Sequence, residues 1–330
     1  MQGIKKLIGA LALSLSAMSF APAGLAGDAA TDYPSGPVKI VVPVQPGSQS
    51  DIFARLWGDM LQNRLGQPVV VENLPGAGGI IGAKAVAGSE PDGLTLLYGS
   101  TSPIVIAPQL SDPPAYDTTA DFEPFMIALK GQAVIAVKPS LPIQSAEDLI
   151  KYAKEHPGEL NYGSHGVGSF SHVATELLMD ATGIEMQHIP YNGGGPLAAG
   201  FLAGEVDIVL FDVLSLLPHA KSGDARAVAQ VGESRSPLFP DVPTVGETVA
   251  PGLTANYYFG LMAPKGTPQE ILEKLNREVT EILKTAEMQA EAKKASMVVP
   301  GGTVDEARAE VRRDWQVWGK IIRDNKISAQ

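Results

Sequence analysis

Two short stretches of this chain bring together the residue types that grip a small anion. The first is Gly47-Ser48-Gln49-Ser50-Asp51; the second is Ser164-His165-Gly166-Val167-Gly168-Ser169, with Ser171 close behind. Each mixes glycine, which lets backbone N–H groups turn toward a ligand, with hydroxyls that donate hydrogen bonds. At the start of a helix such a turn aims unpaired N–H groups and the positive end of the helix dipole at a negative charge. Pro46 has no N–H, so the donors of the first turn begin at Gly47. A single turn of this kind reads more readily as an ordinary serine N-cap than as a ligand site. Two of them, in separate halves of the chain, point to one shared anion site. Asp51 has the wrong sign for a carboxylate ligand and reads as a brace of its loop. Asp212 stands at the carboxyl end of a strand, where it serves a ligand amine or hydroxyl or else caps the next helix. Tyr191-Asn192-Gly193-Gly194-Gly195-Pro196 is a third glycine-rich connection, with Pro196 placed near the first turn of a helix.

Patterns for covalent, metal or nucleotide chemistry are absent. Tyr162-Gly163-Ser164-His165-Gly166 comes near a nucleophile elbow, but Tyr162 stands where the first glycine of G-x-S-x-G belongs. The run Gly76 to Gly82 has the wrong last spacing for G-x-G-x-x-G, and no phosphate-binding G-x-x-x-x-G-K-[ST] occurs. The five histidines, at 156, 165, 172, 188 and 219, show no close ligand spacing, and cysteine is absent. No catalytic residue, metal or cofactor is therefore expected. With 25 Lys and Arg against 36 Asp and Glu, the net charge of −11 argues against a nucleic-acid partner.

The elements that must position these turns can be read from the hydrophobic pattern. Of the 330 residues 45% are hydrophobic and 18% charged, enough to bury a sizeable core and to fill about two domains. Lys5 and Lys6, the apolar run Leu7 to Phe20 and the small residues up to Ala26 form an export signal, with cleavage expected after Ala26. The apolar run is shorter than the ~20 residues of a spanning helix, so no membrane insertion is expected. Losing Lys5 and Lys6 takes the net charge from −11 to −13.

Thereafter Val38 to Val44, Pro68 to Glu72 and Leu94 to Tyr98 read as strands, alternating with helices over Ile52 to Leu65 and Ile80 to Ala87. Ala133 to Val137, Leu160 to Gly163, Glu205 to Phe211 and Ala225 to Gln230 repeat the grammar. A helix carrying Val173, Leu177, Leu178 and Ala181 on one face follows the second glycine-serine turn. The C-terminal part is helical: Thr267 as N-cap opens a stripe of Ile271, Leu272, Leu275, Val279, Ile282 and Leu283, and residues 303–324 bury Ala307, Val311, Trp315, Trp318 and Ile322. Alternating strands and helices imply an α/β fold of mostly parallel sheets, with ligands beyond the carboxyl ends of strands.

The motifs Ile40-Val41-Val42-Pro43 with Gly47 and Asp51, Val69-Val70-Val71-Glu72-Asn73-Leu74-Pro75-Gly76-Ala77-Gly78-Gly79, Pro91-Asp92-Gly93, Asn161-Tyr162-Gly163-Ser164, Gly168-Ser169, Pro190-Tyr191-Asn192-Gly193, Asp241-Val242-Pro243-Thr244 and Gly266-Thr267-Pro268 together resemble the Bug family. These are periplasmic solute-binding proteins of tripartite tricarboxylate transporters. The resemblance covers nearly the whole mature chain in order. It implies a two-lobed type II periplasmic-binding-protein fold, each lobe a mostly parallel sheet flanked by helices, joined by crossing strands. The expected segments are 1–26 as signal peptide, 27–131 plus 256–330 as the first lobe and 132–255 as the second. Carried onto this chain, the expected ligand residues are Gly47, Ser48, Ser50, Asp51, Ser100, Thr101 and Ser102 from the first lobe. Ser164, Gly168, Ser169, Tyr191, Gly193 and Asp212 come from the second.

Ser48, Val44, Asn192 and Val213 depart from the family's usual Gly, Phe, Lys or Arg, and Asn. The missing cation points away from a tricarboxylate, toward a mono- or dicarboxylate with an apolar or aromatic body. The implied partners are that small acid and the membrane permease subunits; the protein is expected to be a periplasmic monomer. A ligand-sensing module for a receptor kinase is the alternative that needs the same closing cleft.

Overall fold

The structure is a computed structural model that describes residues 33–328; the expected export signal lies outside the described residues. The chain opens with the expected alternation: β1 (Val38–Val42), α1 (Gln49–Leu65), β2 (Val69–Asn73), α2 (Ile80–Ala87) and β3 (Thr95–Ser100). Short helical turns and α3 (Thr118–Asp121) lead into β4 (Phe122–Gly131), followed directly by β5 (Ala133–Val137). Next come α4 (Ala146–Glu155), β6 (Asn161–Ser164), α5 (Phe170–Thr182), β7 (Gln187–Pro190), α6 (Gly194–Ala203), β8 (Ile208–Asp212), α7 (Val213–Ser222) and β9 (Arg226–Gln230). After a long connection the chain closes with β10 (Tyr257–Pro264), α8 (Gln269–Leu283), α9 (Ala286–Lys294), β11 (Met297–Val298) and α10 (Val304–Asp324).

These strands form two sheets. The first has the order β11-β4-β10-β3-β1-β2 and the second β7-β6-β8-β5-β9. Both are mixed. The parallel ladders β2-β1-β3 and β7-β6-β8 come from strand–helix–strand units; β4, β10 and β11 in one sheet, and β5 and β9 in the other, pair antiparallel. Strand–helix alternation does not foretell the antiparallel strands, because β4, whose apolar stretch is only Phe125–Leu129, pairs with β10, more than a hundred residues away. Gln132 alone separates β4 from β5, so the chain passes from one sheet to the other there. Its buried side chain donates to the carbonyl of Ser234 at 2.6 Å.

Side-chain alternation sorts each strand's residues to two faces. Val38, Ile40 and Val42 pack under α1, α8 and α9, whereas Val41 faces the other side, toward α2 and α10. In the second sheet Ala133, Ile135 and Val137 face α4 and α5, while Val134 and Ala136 face α6 and α7. One buried cluster runs from the α2 face of the first sheet through α10 to the α5 face of the second, and this holds the two halves together.

The six aliphatic residues of the α8 stripe are all buried, each contributing roughly 1.5–3 kcal/mol by leaving water. That helix begins one residue later than the sequence suggests. Pro268 is its N-cap, because the Thr267 hydroxyl donates backward to the carbonyl of Pro264 at 2.8 Å. On α5 the buried face is Ser171, His172, Val173, Ala174, Thr175 and Leu178, with Ala181 in solvent: the helix is rotated toward its polar first turn. Thr303 and Glu306 form a reciprocal capping box on α10, and Trp315 is only half-buried.

Candidate functional site

The two glycine-serine turns adopt the same conformation. Ser48 caps α1 at φ −71°, ψ 162°, and Ser169 caps α5 at φ −70°, ψ 160°. Each hydroxyl accepts the N–H of the third helical residue, Asp51 or His172, at 3.3 Å. The preceding glycines, Gly47 at φ +82° and Gly168 at φ +71°, occupy the left-handed region that disfavours a side chain. In return the side chain of that third residue reaches back to the glycine: the Gly47 N–H donates to Asp51 Oδ2 at 2.8 Å, and the Gly168 N–H to His172 Nδ1 at 3.0 Å. The cap and brace consume every early donor except two per helix. The amides of Gln49 and Ser50 on α1, and of Phe170 and Ser171 on α5, have no acceptor among the described residues.

Both helix starts open on one cavity of about 210 Å³, lined by Gln49, Ala133, His165, Ser169, Phe170, Ser171, Leu210, Asp212 and Tyr257. Its walls are of two kinds. Ala133, Leu210, Phe170 and Tyr257 are apolar or aromatic, the last two meeting edge to face with ring centroids 5.7 Å apart. The polar wall is a connected set of hydroxyls and an imidazole. Ser171 Oγ accepts the backbone N–H of His165 at 3.1 Å and lies 2.8 Å from its Nδ1 and 3.1 Å from Ser169 Oγ. Asp212 caps α7, accepting the N–H groups of Leu214 and Ser215 at 3.0 Å each and the hydroxyl of Ser215. Helix α7 therefore offsets part of its charge. Burial lowers the pKa of His165, with Asp212 pulling the other way, and raises that of Tyr257, with Asp212 adding to the effect. Larger cavities lie beside Gln132 and beneath α10, at about 390 and 330 Å³, but no residue of either cap turn lines them.

The expected residues divide into three groups. Ser169 and Asp212 line the cavity directly. Gly47, Ser48, Ser50, Asp51, Ser164 and Gly168 frame the turns behind it. Asp51 is the brace its charge suggested: it is buried and ion-paired with Arg55, whose Nη2 lies 2.9 Å from Oδ1 without hydrogen-bond alignment. Burial pushes its carboxyl up, but the Gly47 amide, Arg55 and Asn73 outweigh that and hold it below its usual range. Ser164 is fully buried. Its hydroxyl is 3.1 Å from both the carbonyl and the amide of Gly166 and 2.6 Å from His188 Nε2.

The remaining expected residues are not among those lining the cavity. Thr101 accepts the Tyr258 N–H at 2.8 Å and donates to its carbonyl, tying β3 to β10. Ser100 and Ser102 flank it, half-buried. The Tyr191 hydroxyl donates to Glu205 at 3.0 Å and its ring lies against Gly200, so it braces α6. Gly193 caps α6 at φ +96°, one residue from Gly194, which abuts the His165 ring.

Gln49, Phe170, Ala133, Leu210, His165, Ser171 and Tyr257 line the cavity but are not among the expected ligand residues, although His165 and Ser171 belong to the second turn. For the first two a signal exists, because they occupy the same place in a repeated Gly-Ser-x-Ser string, 47–50 and 168–171. Tyr257 carries none, since only the β10 ladder brings it there.

Two mixed α/β sheets joined by crossing segments, with a cavity of one polar and one apolar wall between paired helix starts, have the architecture of a two-lobed solute-binding protein. The model of the tripartite tricarboxylate transporter family receptor, TctC, matches residues 53–326. The chain belongs to that family. It is 36% identical to protein BugT of Bordetella pertussis over 315 residues, covering 94% of this chain and 96% of the relative. A Rhodopseudomonas palustris protein solved with adipate is 30% identical and has a TM-score of 0.74, covering 90% of this chain and 99% of that one. MatC from the same organism, solved with bound malate, is 29% identical with a TM-score of 0.72, covering 88% and 100%. The resemblance to Bug proteins noted from the motifs therefore holds.

Proposed function

We propose that this protein binds a small mono- or dicarboxylate in the cavity between its lobes and delivers it, from the periplasm and as a monomer, to the permease of a tripartite tricarboxylate transporter. The observation that carries this reading is the paired set of free amides on α1 and α5, aimed at one cavity from the two halves. A carboxylate bridging them favours the closed arrangement of the lobes, since only that arrangement presents both sets of donors. Bonds from such donors to a charged group contribute roughly 1.5–3 kcal/mol each, so three or four support micromolar binding after association costs. Phe170, Tyr257, Leu210 and Ala133 suit an apolar or aromatic body. The volume lies below the ~300–1,000 Å³ usual for drug-sized ligands, which favours a short acid. A third carboxylate would have to face Asp212. The residues are arranged for binding, and we assign them no catalytic step.

A thermal-shift and calorimetry series with adipate, malate, benzoate and citrate tests the reading. An acid present at a hundred times its Kd stabilises the native state by ~2.7 kcal/mol, a rise in melting temperature of roughly 5 °C for a chain of this size. Citrate binding more tightly than the other three would overturn the preference for fewer charges, and no shift with any carboxylate would overturn the function.

A further inference from the structure

The second binding turn has to be held from outside, because Gly166 and Gly168 sit at φ +127° and +71°, conformations that a glycine permits but does not enforce. Two imidazoles hold it. His172 Nδ1 accepts the Gly168 N–H, and His188 Nε2 contacts the Ser164 hydroxyl that is itself bound to both backbone groups of Gly166. The rings stack on each other with centroids 3.8 Å apart and planes 10° apart, and Tyr162 packs against them, 4.9 Å from His188. A backbone N–H can only donate, so Nδ1 of His172 has no proton and the ring is the Nε2–H tautomer. Its Nε2 lies 3.8 Å from Glu176 Oε1, which also accepts the Tyr162 hydroxyl.

We propose that His172 is a positioning residue for ligand capture: kept neutral and flat against His188, it anchors Gly168 and so aims the Phe170 and Ser171 amides into the cavity. It is the counterpart in the second lobe of Asp51 in the first, with the same reach from third helical residue to preceding glycine. The chemistry differs: the first lobe uses a carboxylate neutralised by Arg55, the second an uncharged ring. An uncharged anchor there adds neither repulsion of an anion nor a competing cation. The ionisable groups facing the ring are Tyr162 from β6, His188 from β7 and Glu176 from α5, with Asp180 acting on Glu176 from a turn further on. Leu110 covers Gly168 from the first lobe and brings no charge. Burial, and then the adjacent His188, push His172 down to about 3, which agrees with a ring that is neutral at pH 7.

The inference rests on the cavity being the acid site, so its test has one arm that needs no ligand. Long-range proton–nitrogen NMR of histidine-labelled protein at pH 7 should show His172 as the Nε2–H tautomer, and Gly168 should exchange its amide proton slowly. His172→Asn keeps an acceptor where Nδ1 stood; His172→Leu keeps the volume and loses it. With adipate as probe, His172→Asn should bind within about threefold of the parent. His172→Leu should lose at least tenfold, and its Gly168 amide should exchange at least tenfold faster. An Nδ1–H tautomer, or a His172→Leu protein that binds and exchanges like the parent, overturns the assignment. Should His172→Leu fail to fold, the tautomer and the His172→Asn titration still decide. If the parent binds neither adipate nor malate, the acid-binding reading falls, while tautomer and exchange report separately on the anchor.

Discussion

Replacing Ser169 by Ala removes one hydroxyl with two roles, and a second serine in the same chain separates them. Ser169 Oγ accepts the His172 N–H at 3.3 Å as the cap of α5 and also lines the cavity. Loss of a serine N-cap costs about 1 kcal/mol, a drop in melting temperature of roughly 2 °C at this size. Loss of a bond donated to a carboxylate costs about 1.5–3 kcal/mol, which raises Kd by roughly 10- to 150-fold. Ser145 caps α4 in the same manner, accepting the Asp148 N–H at 3.1 Å, and does not line the cavity. Ser145→Ala should therefore lose the same stability and keep its affinity within about twofold. Calorimetric titration with adipate, beside thermal unfolding of both variants, gives the four numbers. Parental affinity in Ser169→Ala, or an equal loss of affinity in Ser145→Ala, would refute the assignment of that hydroxyl to the ligand.

Further outcomes follow from the same geometry. Gly168→Ala should destabilise more than Gly47→Ala in urea denaturation. Both residues have positive φ, at a cost of roughly 1–2 kcal/mol for a side chain, but only at Gly168 would the new methyl meet Leu110 Cδ1, at 2.2 Å, while Gly47 has open space. Thr101→Val should cost about 1–3 kcal/mol by stranding the Tyr258 N–H, with adipate affinity unchanged; a selective loss of affinity would return Thr101 to the binding set. Stability should fall as pH drops from about 6.5 toward about 4. Over that range the unfolded histidines take up protons, while burial keeps folded His172 and His188 neutral, at about 3 and about 4. The double variant His172→Asn, His188→Gln should flatten that slope, as pH-dependent denaturation would reveal. Below about pH 3.8 a further loss should come from Asp51, whose lowered carboxyl pKa stabilises the fold only above it.

Much of this was legible in the chain because local physics fixes it. The strands Ala133–Val137 and Val38–Val42, the helix Ile80–Ala87 and the α8 stripe rest on periodicity and on capping residues that act within a few positions. The two glycine-serine turns were visible for the same reason: left-handed glycine followed by a capping serine is a short-range arrangement, complete within five residues. Asp51 as a brace followed from charge alone. What the turns would face was not local. Tyr257 reaches the cavity because β10 pairs with β4, Thr101 is withdrawn from it because β3 pairs with β10, and Tyr191 turns away because Gly200 leaves room for its ring. Residue types and spacing determined which backbone groups would be left without partners. Long-range strand pairing, whose outcome depends on every other strand in the sheet, decided which of them look into the same cavity.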